Sequence, residues 1–178
     1  MTEKNSKAAE DAPTKATEAI ENEIPDGQVK VPEERINLKA KKLQGFLDES
    51  KVGFFTMDAT GDNLKTVVFR TNITVQKQQL PVGVFTDDSI YSLIRVLILP
   101  AVVNANNRGK VFVYLNELNA KYKIFKYYSD GSDNIFLDIS LPCLPEHFDP
   151  RMALTAIDLA MNHLNEIFFD FMRRVWGE

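Results

Sequence analysis

The chain has 178 residues, of which 44% are hydrophobic and 26% are charged, a size and balance typical of one globular domain. Its formal net charge of −4 argues against a nucleic-acid-binding protein, which would usually carry a basic stripe. A single cysteine excludes an internal disulfide, and no apolar run reaches the roughly 18 residues that a transmembrane helix needs. The N-terminus lacks the apolar segment of a secretory signal, so we expect a cytoplasmic protein with neither nucleic-acid nor membrane partner.

Residues 1–35 differ from the rest of the chain in composition. They contain five basic and nine acidic residues and no Phe, Tyr, Trp or Leu, so this segment holds the whole excess of negative charge. A segment without large apolar side chains cannot bury enough surface to offset the entropy lost on ordering. We therefore predict a disordered acidic tail over residues 1–35 and a single folded domain over residues 36–178.

The first half of the folded domain is predicted to contain one helix and four strands. Asn37 suits a helix N-cap, and apolar residues recur at helical spacing from there to about Ser50. Residues 90–99 are apolar on both faces; their β-branched alternation favours a strand, and a buried helix is the alternative. Alternating apolar and polar residues predict the other three strands, over 54–59, 65–75 and 81–86.

The second half is predicted to contain two helices and two further strands. A helix is expected over 108–119, followed by a hairpin with strands over 122–128 and 135–141. The final helix is the most strongly patterned element, because Asp149 provides an N-cap, Pro150 suits the first helical position, and an apolar stripe continues for nearly four heptads. The order α-β-β-β-β-α-β-β-α predicts an α+β fold in which helices cover one face of an antiparallel sheet.

Few residues could support catalysis or metal binding. Cys143 and His147 share one Pro-bounded loop, where they could form a thiolate nucleophile, but no third group is placed to orient them. The acidic turn at 130–133 lacks the further ligands of a calcium loop, and structural zinc spacings are absent from the sequence. His163 on the last helix is expected to be a partly exposed structural residue. We therefore predict no catalytic residue, no metal and no cofactor, and we do not expect an enzyme.

Some apolar side chains are left over once the predicted sheet has been covered. Four lie beside the main stripe of the last helix, and two aromatic residues fall on the side of the last hairpin that is predicted to face solvent. Clusters of exposed aromatic and Met side chains usually mark an interface, although loops could instead cover them. A homodimer through the long helices is the simplest arrangement that buries such a surface. The predicted partner-binding residues are Tyr127, Phe136, Ile167, Phe169, Met172 and Trp176.

One segment resembles a known family. The run Tyr114–Asn119, with the sequence YLNELN, is followed by strands at 121–128 and 134–141 and then by a long helix, and this arrangement is similar to that of YbjN-type domains. The resemblance implies an α+β fold like that of type III secretion chaperones, and a bacterial sensory transduction regulator without catalytic residues. Asn116 and Asn119 are the characteristic positions of the family. We interpret both as structural residues at the C-terminal end of the helix, where Asn119 would tolerate a left-handed cap.

These features together predict a non-enzymatic protein-binding module, either chaperone-like or a regulatory adaptor. The alternative is a small-molecule sensor with an apolar pocket between the sheet and the long C-terminal helix. A third hypothesis is an enzyme that uses Cys143 and His147.

Overall fold

The computed structural model describes residues 33–177. The predicted tail over residues 1–35 lies outside this range except for residues 33–35, which form one turn of 3-10 helix. The Ile36 amide closes this turn by donating to the carbonyl of Glu33. The helical turn over residues 33–35 therefore lies within the segment that was predicted to be disordered. No helix within the described range has both the length and the apolar character that crossing a bilayer requires.

Three long helices and six strands make up the fold of residues 33–177. The helices are α1 (Leu38–Glu49), α2 (Arg108–Lys121) and α3 (Pro150–Trp176). The strands are β1 (Thr56–Ala59), β2 (Val67–Val75), β3 (Gln78–Thr86), β4 (Tyr91–Leu99), β5 (Lys126–Ser129) and β6 (Ile135–Pro142). They form one sheet in the order β1-β2-β3-β4-β6-β5, and all neighbours are antiparallel. The predicted α+β class and antiparallel sheet are confirmed.

Both predicted helix caps are present. Asn37 accepts a hydrogen bond from the Ala40 amide at 2.8 Å, and its own amide group donates to the carbonyl of Thr86 at 2.9 Å. One side chain therefore starts α1 and also anchors it to the end of β3. Asp149 accepts from the Arg151 amide at 3.0 Å and caps α3. Such caps satisfy main-chain donors that have no partner within the helix.

The β2–β3 hairpin is tighter than the sequence predicts. β3 begins at Gln78, so the turn contains only Gln76 and Lys77, with φ values of 46° and 68°. Gly or Asn usually occupies such positions, and without them the sequence predicted a longer turn here. The helix α3 holds the turn in place: the Gln76 amide donates to Oδ1 of Asn165 at 3.1 Å, and the Gln76 side chain donates to the Asn165 carbonyl at 2.9 Å.

Residues 91–99 form a strand, so the strand prediction is confirmed and the helix alternative is wrong. This strand is apolar on both faces because both of its faces are buried. Ile94 and Val96 belong to the main core beneath the helices, whereas Arg95 and Leu97 are buried on the opposite face.

The main core lies between the three helices and one face of the sheet. The long helix α3 packs across β2, β4 and β6, while α2 contacts β5 and α3, and α1 contacts α3. Sheet residues that point into this core include Phe69, Val84, Ile94 and Leu137, and they pack with Leu164 and Phe171 of α3. We call this side of the sheet the helix face.

The opposite side of the sheet was expected to face solvent, and this expectation is wrong for its central part. Strand register brings together six buried residues there, and we call this surface the Arg95 face: Val68, Phe85, Arg95, Leu97, Phe136 and Asp138.

Candidate binding site

The predicted patch on the last helix is only partly exposed. Phe169 and Trp176 are 68% and 61% exposed and, seven residues apart, lie on the same side of α3. Ile167 and Met172 are half-buried and pack against the main core. We call Phe169, Met172 and Trp176 the C-terminal stripe. It follows Asn165, whose side chain binds the β2–β3 turn.

The two hairpin residues predicted to contact a partner are not exposed. Tyr127 points into the main core, and Phe136 is fully buried on the Arg95 face. The register pairs Tyr127 with Leu137 and Phe136 with Tyr128, so the two residues lie on opposite faces of the sheet. The prediction that they share a solvent-facing side is wrong, because both faces of this hairpin are buried.

A concave surface lies instead between the β5–β6 edge of the sheet and the first half of α3. We call it the edge groove. Its volume is about 490 Å³, within the usual range for ligand sites of roughly 300–1,000 Å³. Met152, Thr155, Ala156 and Leu159 form its helical wall, because spacings of three and four residues place them on one side of α3. Its apolar lining consists of Ile124, Phe125, Ile139, Leu141, Met152, Ala156 and Leu159.

The edge groove also contains a strand edge that no other strand of residues 33–177 covers. Pairing of β5 with β6 ends at Asp138, although β6 continues to Pro142. The Cys143 amide, directly after β6, donates to the carbonyl of Ile90, directly before β4, at 2.7 Å. The N–H and C=O groups of successive residues point alternately to the two sides of a strand. Because those of Cys143 point toward β4, those of Ser140, three residues earlier, point away from β4 and toward the groove. A strand that binds here can therefore extend the sheet.

The charges at the groove mouth are mostly positive. Lys123 and Lys126 line it and are exposed, and Lys121 lies just before them at the end of α2. Asp138 also lines the groove, but its carboxylate is already paired with Arg95 at 2.9 Å. The mouth therefore favours a ligand with acidic groups.

A polar cluster within the core adjoins the groove, because Phe125 lines the groove and also contacts this cluster. The Tyr127 hydroxyl lies 2.6 Å from Nε2 of His163, and the ring of Phe125 stacks on the imidazole with 4.4 Å between ring centroids. His163 is buried, not partly exposed as predicted, because Tyr122 and Phe125 fold over it instead of continuing β5. Burial raises the pKa of Tyr127 and lowers the pKa of His163, so both side chains are neutral near pH 7.

Asn119 has a different structural role from the predicted helix cap. It lies inside α2, where its side chain accepts from the Tyr127 amide at 2.7 Å and donates to the Tyr127 carbonyl at 2.9 Å. The amide side chain thus forms the hydrogen bonds that a neighbouring strand would form. Asn116, one turn earlier, is exposed.

Cys143 and His147 do not form a catalytic pair in this geometry. The contacts described for residues 33–177 include none between the Cys143 thiol and the His147 imidazole, and the His147 amide instead donates to Leu144 at 2.9 Å. Within the same range, no group of three or more His, Cys, Asp or Glu side chains could hold a metal ion. That the protein has no enzymatic activity and no cofactor stays a prediction.

Neither models of known protein families nor curated protein sequences match the chain. The resemblance to YbjN-type domains therefore stays a prediction.

Sequence analysis did not single out the residues of the edge groove. One signal was present: Met152 and Leu159 are apolar residues seven positions apart and lie outside the main stripe of α3. Ile124 carried no signal, because it was predicted to lie inside a longer β5.

Proposed function

We propose that this protein is a non-enzymatic protein-binding module, a chaperone-like or regulatory adaptor, which receives an extended segment of a partner protein in the edge groove. One observation carries the proposal: the groove places exposed apolar walls directly beside the uncovered edge of β6. Extended peptides bind such edges by adding a strand, with main-chain hydrogen bonds providing affinity and side-chain pockets providing specificity.

The chemistry of the groove defines the partner segment. Alternate side chains of an added strand point to the same side, so every second residue should be apolar to contact Met152 and Leu159. Residues near Lys123 and Lys126 should be acidic. The β6 edge beyond Asp138 comprises residues 139–142, so the segment that pairs with it is short.

The order of helices and strands supports a relationship to type III secretion chaperones and YbjN-type regulators. We propose this relationship for the fold, and with it a bacterial, cytoplasmic protein. We also propose that two copies associate through the C-terminal stripe, because Phe169 and Trp176 present exposed aromatic side chains on one side of α3.

A displayed peptide library selected on the full-length chain tests the groove. We expect Leu159→Asp to raise the Kd of the selected peptides by more than about tenfold, which corresponds to roughly 1.4 kcal/mol. The matched control is Val113→Asp, which charges an exposed apolar side chain of α2 outside the groove and should leave the Kd unchanged. Peptides that bind both variants equally well would overturn the proposal.

A small-molecule sensor is the second candidate, and the volume of the groove is the observation that favours it. Ser140→Pro separates the two candidates, because proline removes the main-chain N–H that faces the groove and is tolerated at strand edges. Strand addition predicts that Ser140→Pro loses peptide binding. A sensor predicts that a metabolite raises the melting temperature of both the wild type and Ser140→Pro, but not that of Leu159→Asp.

A further inference from the structure

The strand edge in the edge groove is closed at one end by β5. Within residues 33–177, β5 is the strand that pairs with β6 on this side, and its pairing begins where Lys126 lies opposite Asp138. A strand added to residues 139–142 of β6 therefore lies on the same line as β5 and meets the start of β5 end to end. At this point the added segment has to end or to leave the sheet.

Contacts with the core hold this closed end in place. Phe125, the residue directly before β5, is buried and stacks on the imidazole of His163 with 4.4 Å between ring centroids. The preceding residues Lys123 and Ile124 are exposed and line the groove at the same end. The chain that enters β5 is therefore anchored from inside, and an added strand cannot displace it without breaking the contact between Phe125 and His163.

The closed end carries two positive charges that no acidic group neutralises among residues 33–177. No ion pair in this range involves Lys123 or Lys126. The ammonium group of Lys126 lies over the ring of Tyr128, 4.9 Å from its centroid, and this contact keeps the charge beside the start of β5. The carboxylate that lines the groove, that of Asp138, binds the guanidinium of Arg95 through both oxygens. The closed end therefore attracts an anionic group.

These charges favour one direction of the added strand. A strand that is antiparallel to β6 runs in the direction of β5, so its C-terminal end reaches Lys126; a strand that is parallel to β6 brings its N-terminal end there. The ammonium groups of Lys123 and Lys126 attract a C-terminal carboxylate and repel an N-terminal ammonium group. Antiparallel pairing is also slightly more stable per residue than parallel pairing.

We propose that the edge groove receives the C-terminal end of its partner protein, which adds antiparallel to β6 and places its terminal carboxylate beside Lys123 and Lys126. This inference rests on the proposed function and adds the class of partner to it. The partner has a free, extended C-terminal segment, in which alternate side chains are apolar and contact the helical wall formed by Met152 and Leu159. An internal segment fits less well, because its chain has to turn out of the sheet at the closed end.

Two peptide libraries selected on the full-length chain test the inference. In the first library the random segment ends in a free C-terminus, and in the second the same segment is followed by a carrier protein. Groove binders are the peptides that lose binding to Leu159→Asp, and we expect them from the first library only. Groove binders from the second library would overturn the inference and leave the proposed function intact. The absence of groove binders from both libraries would overturn the inference and the proposed function together.

Synthetic forms of one selected peptide then locate the carboxylate. We expect a C-terminal amide, or three further residues at the C-terminus, to raise the Kd at least about tenfold, and acetylation of the N-terminus to leave it unchanged. Lys123→Gln combined with Lys126→Gln should remove most of the difference between the carboxylate and amide forms. The matched control is Lys110→Gln, which changes an exposed lysine of α2 outside the groove and should preserve that difference.

The same peptides separate this inference from the proposed function. An amide that binds as tightly as the carboxylate would overturn the C-terminal placement, and so would a peptide that is weakened by N-terminal acetylation alone. In both cases continued sensitivity to Leu159→Asp would keep the edge groove as the binding site.

Discussion

The hydroxyl oxygen of Tyr127 lies 2.6 Å from Nε2 of His163, so a hydrogen bond inside the core joins an outer strand to the longest helix. The rings of Tyr122 and Phe125 enclose the imidazole, with centroids 4.2 Å and 4.4 Å away. The pKa of His163 is lowered mainly by this burial; Glu166 opposes the shift and Lys121 adds to it. The folded protein therefore favours neutral His163.

This arrangement predicts a loss of stability in mild acid. The unfolded chain binds a proton at His163 below about pH 6.5, whereas the folded chain does so only at lower pH, so the free energy of unfolding falls as pH decreases through that range. Urea denaturation at pH 8 and pH 5.5 measures the difference, which is at most about 1.4 kcal/mol per pH unit for one group. His163→Gln, which does not titrate, should show a smaller difference. An equal difference in wild type and variant would exclude His163 as the cause.

Asn119 and Asn116 form a matched pair for testing the motif in α2. Asn119→Ala removes two hydrogen bonds to the main chain of Tyr127 and should lower the free energy of unfolding by about 1–2 kcal/mol. Asn116→Ala changes an exposed position in the same helix and should stay within about 0.5 kcal/mol of the wild type. Chemical denaturation of both variants checks this, and equal effects would mean that the Asn119 bonds contribute little.

The ion pair between Arg95 and Asp138 is buried, and both of its hydrogen bonds measure 2.9 Å. Arg95→Leu or Asp138→Leu alone breaks this buried ion pair, and each should cost about 3–5 kcal/mol. The double variant should be more stable than either single variant. As a control, Arg108→Ala breaks the exposed pair with Asp133 and should cost less than about 1 kcal/mol. Additive losses in the double variant would show that the charges act independently.

The β2–β3 turn offers a site for stabilisation. Lys77 has a φ of 68°, a conformation that costs residues other than glycine roughly 1–2 kcal/mol. Lys77→Gly should therefore raise the melting temperature, with a net gain below about 1 kcal/mol because glycine also gains freedom in the unfolded chain. Gln79→Gly, at an exposed position of β3 without positive φ, should lower it. Thermal denaturation followed by circular dichroism distinguishes the two outcomes.

Association through the C-terminal stripe can be tested by sedimentation velocity. Phe169→Asp combined with Trp176→Asp charges the two most exposed residues of the stripe and should convert dimers to monomers without a loss of secondary structure. Phe112→Asp on α2 charges another exposed aromatic residue and should leave the dimer intact. A double variant that sediments like the wild type would show that the C-terminal stripe does not mediate association.

Elements determined by local patterns could be predicted from the sequence. The N-caps Asn37 and Asp149 satisfy the first amides of their own helices, and the apolar period of α3 is long enough to define the helix alone. Even the ambiguous segment over 90–99 was predicted correctly as a strand, because β-branched residues favour strands regardless of what covers them.

Features that depend on contacts distant in sequence could not be predicted. Alternation shows that a hairpin has two faces, but it does not show that both are covered, and for this reason Tyr127 and Phe136 were assigned to solvent. The burial of His163 depends on Tyr122 and Phe125, which leave the strand pattern and fold over α3. The edge groove exists only because β5 ends before β6 does, and end points of strands are set by such tertiary contacts.

Both outer strands of the sheet, β1 and β5, have four residues and flank longer neighbours. The pairing of β1 covers only residues 67–70 of β2, and that of β5 covers only residues 135–138 of β6. The stretches left beyond them, 71–75 and 139–142, lie at diagonally opposite corners of the sheet. Edge-to-edge stacking of whole sheets, the first step toward fibrils, requires a long straight edge. Within residues 33–177 the sheet has no such edge, so it resists polymerisation while it keeps a short edge accessible beside α3.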